Sequence, residues 1–167
     1  SAVFAHRSAQ RFTQTGAVMQ DIQDAVAYVR NNASTFNIDP TRVCLFGVSF
    51  GVPYALVTAM RDNPAEVIRC VVGYYGYLNL THLPDYIDGL YVPQATLSAV
   101  SPQSYVQQPM PPTLIVRAGQ DSSMLNSTIV AFISDALKHN KPITCVNHPE
   151  GRHGFDMAQS SPQSTHI

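Results

Sequence analysis

Three side chains in this sequence have the types and the order that make a weak nucleophile strong. Ser49 is the centre of Gly47-Val48-Ser49-Phe50-Gly51, Asp121 ends Gly119-Gln120-Asp121, and His153 is flanked by Gly151 and Gly154. A serine hydroxyl attacks a carbonyl only when a base takes its proton. Histidine, with a reference pKa of ~6.5, takes that proton near neutral pH and passes it to a leaving group. A carboxylate on the other ring nitrogen fixes the tautomer and stabilises the imidazolium. Serine, acid and histidine follow one another here as they do after a nucleophile elbow.

Each residue also has a plainer reading. The G-x-S-x-G pentapeptide alone is as compatible with a helix-start turn whose serine caps the helix. Asp121 could cap a helix beginning near Leu125, and Asp156 is a second choice of acid, set back by its closeness to His153 on one short loop. A lone loop histidine is usually a surface residue. His153 stands apart because it follows a strand, sits among glycines and comes third in order. His148 reads as the end of its strand, and His6, His82, His139 and His166 as solvated side chains.

The elements around these residues put them in loops. Val43-Cys44-Leu45-Phe46 is a short apolar run that reads as a buried strand, and Pro53 to Met60 reads as a helix with Pro53 in its first turn, where a missing N–H costs little. Strand, turn, helix is the setting that exposes a nucleophile and places the Phe50 main-chain N–H at a helix start, aimed at a developing oxyanion. The two glycines, lacking a Cβ, let strand and helix pass closely. Ala2 to Ala5 reads as the end of a strand, and a helix runs from about Thr15 with Val18, Ile22, Val26 and Val29 on one face. Val67 to Tyr74, Thr113 to Ala118 and Pro142 to Asn147 read as further strands, and Ser127 to Asn140 as a helix. Asp121 and His153 each follow a strand, at the edge where open α/β sheets collect their sites. The stretch from about 75 to 112 carries five tyrosines and no clear periodicity, and reads as a lid-like insertion. Strands without clean alternation, separated by helices, predict a three-layer α/β/α domain with a mostly parallel sheet.

The 167 residues are 45% hydrophobic and 13% charged with net charge −1, which suits one soluble domain and gives no electrostatic reason to expect nucleic acid or an anionic membrane as partner. No apolar run approaches the ~20 residues of a membrane span. Cys44, Cys70 and Cys145 lie in apolar runs and read as buried core thiols. Their odd number and spacing argue against a disulfide framework and against a zinc site. Three Asn-x-Ser/Thr triplets, at Asn32, Asn79 and Asn126, are treated as chance matches. The compartment is not given, a cytoplasmic one being favoured.

Taken together the strings resemble the α/β-hydrolases, and most closely their dienelactone-hydrolase-like and serine esterase branch. The resemblance rests on residues 20–30, Ile38-Asp39-Pro40-Thr41-Arg42-Val43, the elbow, residues 111–121 and residues 147–156. It implies Ser49 as nucleophile, Asp121 as acid, His153 as base, Phe50 as one oxyanion donor, no metal or cofactor, and a small-molecule ester as substrate. Dienelactone hydrolases proper usually carry a cysteine nucleophile, so the serine favours esterase chemistry. The resemblance also places strands and a second oxyanion loop before residue 1 and a last helix after residue 167. The expectation is therefore a truncated hydrolase domain over 1–167, weakly active at best without that segment or a partner chain. The other readings are an oligopeptidase-type serine peptidase and a non-catalytic hydrolase-like interaction module.

Overall fold

The structure, a computed structural model, describes residues 1–4, 7, 14–63, 67–84, 86–87 and 90–158. Helix α1 (Thr15–Asn31) and a single turn α2 (Ala33–Phe36) lead through an Asp39 turn into strand β1 (Val43–Val48). Helix α3 (Gly51–Arg61) and strand β2 (Ile68–Tyr74) follow. A hairpin of β3 (Tyr86–Ile87) and β4 (Leu90–Tyr91) and a short α4 (Gln94–Ala99) precede β5 (Thr113–Ala118). Helix α5 (Ser123–Lys138), β6 (Ile143–His148) and a turn α6 (Phe155–Ala158) complete the order. The main sheet has the order β1-β2-β5-β6 with every pair parallel, so the fold is α/β with a parallel sheet and flanking helices.

Helix α3 is the centre of the packing. All nine residues from Val52 to Met60 are buried, so it is enclosed on every side. One side meets Ile68, Val71 and Ile115 of the sheet together with Leu125, Ile129 and Phe132 of α5. The other, through Tyr54 and Val57, meets Val18, Met19 and Ile22 of α1. Each large side chain enclosed this way contributes roughly 1.5–3 kcal/mol. The opposite face of the sheet is thinner. Among the described residues it is covered around Phe155, which packs with Tyr74, Tyr75, Val116 and Ala118, while Phe46 remains exposed.

Several sequence expectations change at this level. Residues 2–4 form no strand, and residues 5–6 and 8–13 lie outside the described residues, as do His6 and His166. Helix α5 begins four residues earlier than its apolar periodicity suggests, because Ser122 caps it by accepting from the Leu125 N–H at 3.2 Å. Asp121 is therefore not the cap. The 75–112 stretch is not irregular: besides the hairpin and α4 it holds 3₁₀ turns at Leu80–His82 and Pro102–Tyr105. Leu78, Leu80, Leu97 and Val100 are buried, and the Leu78 N–H donates to Thr128 Oγ1 on α5 at 3.1 Å. Its elements are too short to show a period.

The cysteine reading is corrected. Cys44 and Cys70 are not buried thiols but form a disulfide, and Cys145 is free and exposed. Cys44 and Cys70 are register partners on β1 and β2 with Cα atoms 4.7 Å apart, within the range a disulfide spans. Register, not spacing along the sequence, decides the pairing, which is why counting cysteines misses it. Two measurements check the bond. Without reductant, an alkylating reagent modifies Cys145 alone. Closing a 26-residue separation contributes about 3 kcal/mol, so Cys70→Ala lowers the unfolding free energy by that order in urea titrations. Alkylation of all three cysteines before reduction would contradict the assignment.

Candidate active site

Ser49 follows the last residue of β1 with φ +51°, a left-handed conformation that non-glycine residues seldom adopt. Two backbone bonds hold it there: its N–H donates to Tyr74 O at 3.0 Å and its C=O accepts from the Val52 N–H at 3.1 Å. Gly47 is required at the crossing, because a Cβ on it would lie 2.8 Å from the backbone carbonyl of Gly51. Gly51 is different. A Cβ there would meet nothing within 4 Å, so of the two glycines in the motif only the first is needed for the close passage. On the neighbouring strand end, Gly73 and Gly76 leave room for Val52, which would otherwise lie 2.6 and 2.3 Å from their added Cβ atoms. Phe50 is the N-cap of α3, which puts its N–H at the positive end of the helix dipole. Its ring stacks on Tyr77 at 5.4 Å between centroids.

The other two loops meet Ser49 from across the sheet. His153 Nε2 lies 2.9 Å from Ser49 Oγ, and His153 Nδ1 lies 2.6 Å from Asp121 Oδ2. A carboxylate only accepts, so the proton sits on Nδ1 and Nε2 is left to accept from the serine hydroxyl. The Asp121 side chain is 9% exposed and that of His153 44%, so the carboxylate is shielded while the imidazole opens toward solvent. Asp121 Oδ1 accepts from the Ser122 N–H at 2.7 Å. The acid and histidine loops are joined directly. The Gly119 N–H donates to His148 O and the Gln120 N–H to Gly151 O, both at 2.8 Å, and a Cβ on Gly119 would come within 2.4 Å of Pro149 O.

Asp156 does not compete for His153. Its carboxylate accepts from the Tyr75 hydroxyl instead. Tyr75 is fully buried, has φ +41°, and sets its ring edge-on to His153 at 4.8 Å. Burial first, and then the Asp156 carboxylate, push its phenol well above the ordinary range, so it remains a donor. His148 is buried at the end of β6 against Phe155, and His139 ends α5 with Nδ1 2.8 Å from Asp135 O. Of the tyrosines from 75 to 112 with described side chains, Tyr75 and Tyr77 border the histidine and the Phe50 ring. Tyr105 instead donates to Ala99 O and lies under Arg61. Sequence reasoning missed the support roles of Tyr75 and Asn126, whose amide reaches the backbone of the acid loop. Tyr75 lies in no recognisable motif, and the Asn-x-Thr triplet headed by Asn126 points to a glycan acceptor rather than to this contact. Among the described residues no group of three or more His, Cys, Asp or Glu is arranged to hold a metal ion, and no helix is long and apolar enough to cross a membrane.

The architecture recurs in known proteins. The sequence is 27% identical to Esterase LipQ of Mycobacterium tuberculosis, over 83% of its own length and 38% of that protein, so it spans well under half of that relative. Among solved structures it is similar to Thermogutta terrifontis esterase 2 phosphorylated by paraoxon, with a TM-score of 0.77 at 19% identity, covering 97% of this protein and 64% of that one. A truncated carbohydrate esterase from gut microbiota gives a TM-score of 0.77 at 21% identity, covering 91% and 66%. The shared architecture is the α/β-hydrolase fold. Residues 2–135 match the BD-FAE protein family, and the chain belongs to that family.

Proposed function

We propose that this protein bears the triad of a serine hydrolase that cleaves carboxylic esters, with Ser49 as nucleophile, His153 as base and Asp121 as acid. The observation behind this reading is the continuous hydrogen-bonded line from Asp121 through His153 to a serine held in a left-handed turn. The names of the similar proteins support ester chemistry, and the paraoxon adduct on one of them is the kind of product an activated hydroxyl gives.

In this reading Ser49 Oγ attacks the ester carbonyl while Nε2 of His153 takes its proton. The Phe50 N–H stabilises the oxyanion from the helix start. His153 returns the proton to the departing alcohol, leaving an acyl group on Ser49. Water, deprotonated by the same nitrogen, then attacks the acyl carbon, and His153 returns that proton to Ser49 Oγ as the carboxylic acid leaves. Asp121 keeps its charge throughout and holds the imidazolium that forms twice in each cycle. The Cys44–Cys70 bond supports folding in an oxidising compartment rather than the cytoplasm.

A fluorophosphonate probe labels the protein, and Ser49→Ala abolishes both labelling and turnover of p-nitrophenyl acetate, by about 10⁶-fold in kcat. Labelling that persists in Ser49→Ala would falsify the assignment. Tyr75→Phe keeps the ring against His153 and removes the bond to Asp156. Because a hydrogen bond to a charged group contributes about 1.5–3 kcal/mol, this variant melts earlier and loses kcat with little change in KM. An unchanged melting temperature and kcat would show that the Tyr75–Asp156 bond holds nothing in place.

A further inference from the structure

Asn126 lies in the first turn of α5 and is 6% exposed. Its Nδ2 donates to three backbone carbonyls: Ala118 at 3.0 Å, Gly119 at 3.4 Å and Asp121 at 3.3 Å. These are the last residue of β5, the first residue of the loop, and the acid itself. An amide NH₂ has two protons, so three acceptors share them. Its Oδ1 is buried without a hydrogen-bond partner. Turning the amide over would face that oxygen toward three carbonyls, so the donor orientation is the one the surroundings accept. A buried acceptor left unmatched is unfavourable. The helix does not need Asn126 at this point, because Ser122 already caps it.

The loop does need it. Between β5 and α5 the backbone makes a tight turn in which the Asp121 N–H reaches back to Ala118 O at 3.2 Å. The Asn126 amide draws the Ala118 and Asp121 carbonyls to one point, which fixes the backbone of Asp121 on both sides of its side chain. With Oδ1 committed to the Ser122 N–H, Oδ2 faces His153 Nδ1 at 2.6 Å. We propose that Asn126 is a positioning residue that aims the Asp121 carboxylate at His153. The inference rests on the reading of Ser49, His153 and Asp121 as the triad. It also removes the Asn126-Ser127-Thr128 triplet from consideration as a glycan acceptor, since the amide nitrogen is enclosed and engaged.

The test compares Asn126→Ala with wild type and Ser49→Ala in the complete protein, reading kcat and KM for p-nitrophenyl acetate across pH, the fluorophosphonate labelling rate, and thermal melting. A misaimed acid lowers kcat by about 10²-fold with KM little changed. Among the described residues, the groups that contact His153 are Asp121, the Ser49 hydroxyl and the Tyr75 ring, whose phenol is engaged by Asp156. Asp121 is therefore the charge whose retreat destabilises the imidazolium, and the acid limb of kcat/KM moves to lower pH by up to about 1 unit. A purely structural role lowers the folded fraction and scales activity equally at every pH. Wild-type kcat per folded molecule with an unmoved acid limb overturns the proposal while Ser49→Ala stays inactive, and labelling of Ser49→Ala overturns the triad instead. Should Asn126→Ala fail to fold, Asn126→Ser, which keeps one hydroxyl donor, is read in the same way. A smaller shift in the same direction supports the proposal and an unmoved limb overturns it.

Discussion

The site depends on a strained turn that its surroundings hold in place. Ser49 and Tyr75 both take left-handed backbone conformations, at φ +51° and +41°, one residue past the ends of β1 and β2. Such conformations cost on the order of 1–3 kcal/mol each and persist only where the surroundings over-determine them. Here the parallel ladder continues one step beyond the strands: the Ser49 N–H bonds Tyr74 O, and the Tyr75 N–H bonds Val116 O at 2.8 Å. Helix α3 closes the other side. Its start presses on Gly47, and its buried Val52 fills the space left by Gly73 and Gly76. Burial of the nine consecutive α3 residues offsets the strain, so the helix that is enclosed on every side also carries Ser49 at its start.

Strand order sets the second constraint. In the order β1-β2-β5-β6, Ser49 and His153 follow strands three places apart, roughly 14 Å at the usual strand spacing. The histidine loop must therefore lean back over β5 and β2. Two devices bring it there. The close approach of Gly119 to Pro149 and the bond from Gln120 to Gly151 join the histidine loop to the acid loop. Phe155 then anchors the far end, buried against Tyr74, Tyr75 and His148. The imidazole is suspended between an acid loop that is fixed to α5 and an aromatic cluster that is fixed to the sheet.

Much of this is legible in the sequence because local chemistry demands it. The G-x-S-x-G turn, the acid after one strand and the histidine after another are each set by neighbours close in sequence, and hydrogen bonds join Ser49, His153 and Asp121. The strands are legible because apolar runs of six or seven residues are bounded by Pro, Gly and Asn. What stays hidden depends on contacts between distant segments. Cys44 and Cys70 become a pair only once β1 and β2 are in register. Tyr75 is one aromatic among many until Asp156 and His153 close on it. Gly51 reads like Gly47 in the motif, yet only Gly47 faces backbone at the crossing, a distinction set by the angle between strand and helix.

The disulfide belongs to this same geometry. Among the described residues β1 is the end strand of the sheet, with β2 as its one partner, so a single ladder fixes its register. Side chains alternate along a strand, and a slip of one residue would turn Leu45 away from α1 and α3 and take Ser49 out of reach of Tyr74 O. A register irregularity already lies between Val43 and Cys44, which makes this end of the pair the one open to slippage. The Cys44–Cys70 bond sits at that irregularity. It joins the amino-terminal ends of the two strands whose carboxyl ends hold the strained residues, roughly 16 Å away along the strand. A covalent link there forbids the slipped pairing without touching the site. The position of the serine hydroxyl is therefore fixed from both ends of β1: by the left-handed turn that follows it and by the bond across its first residues.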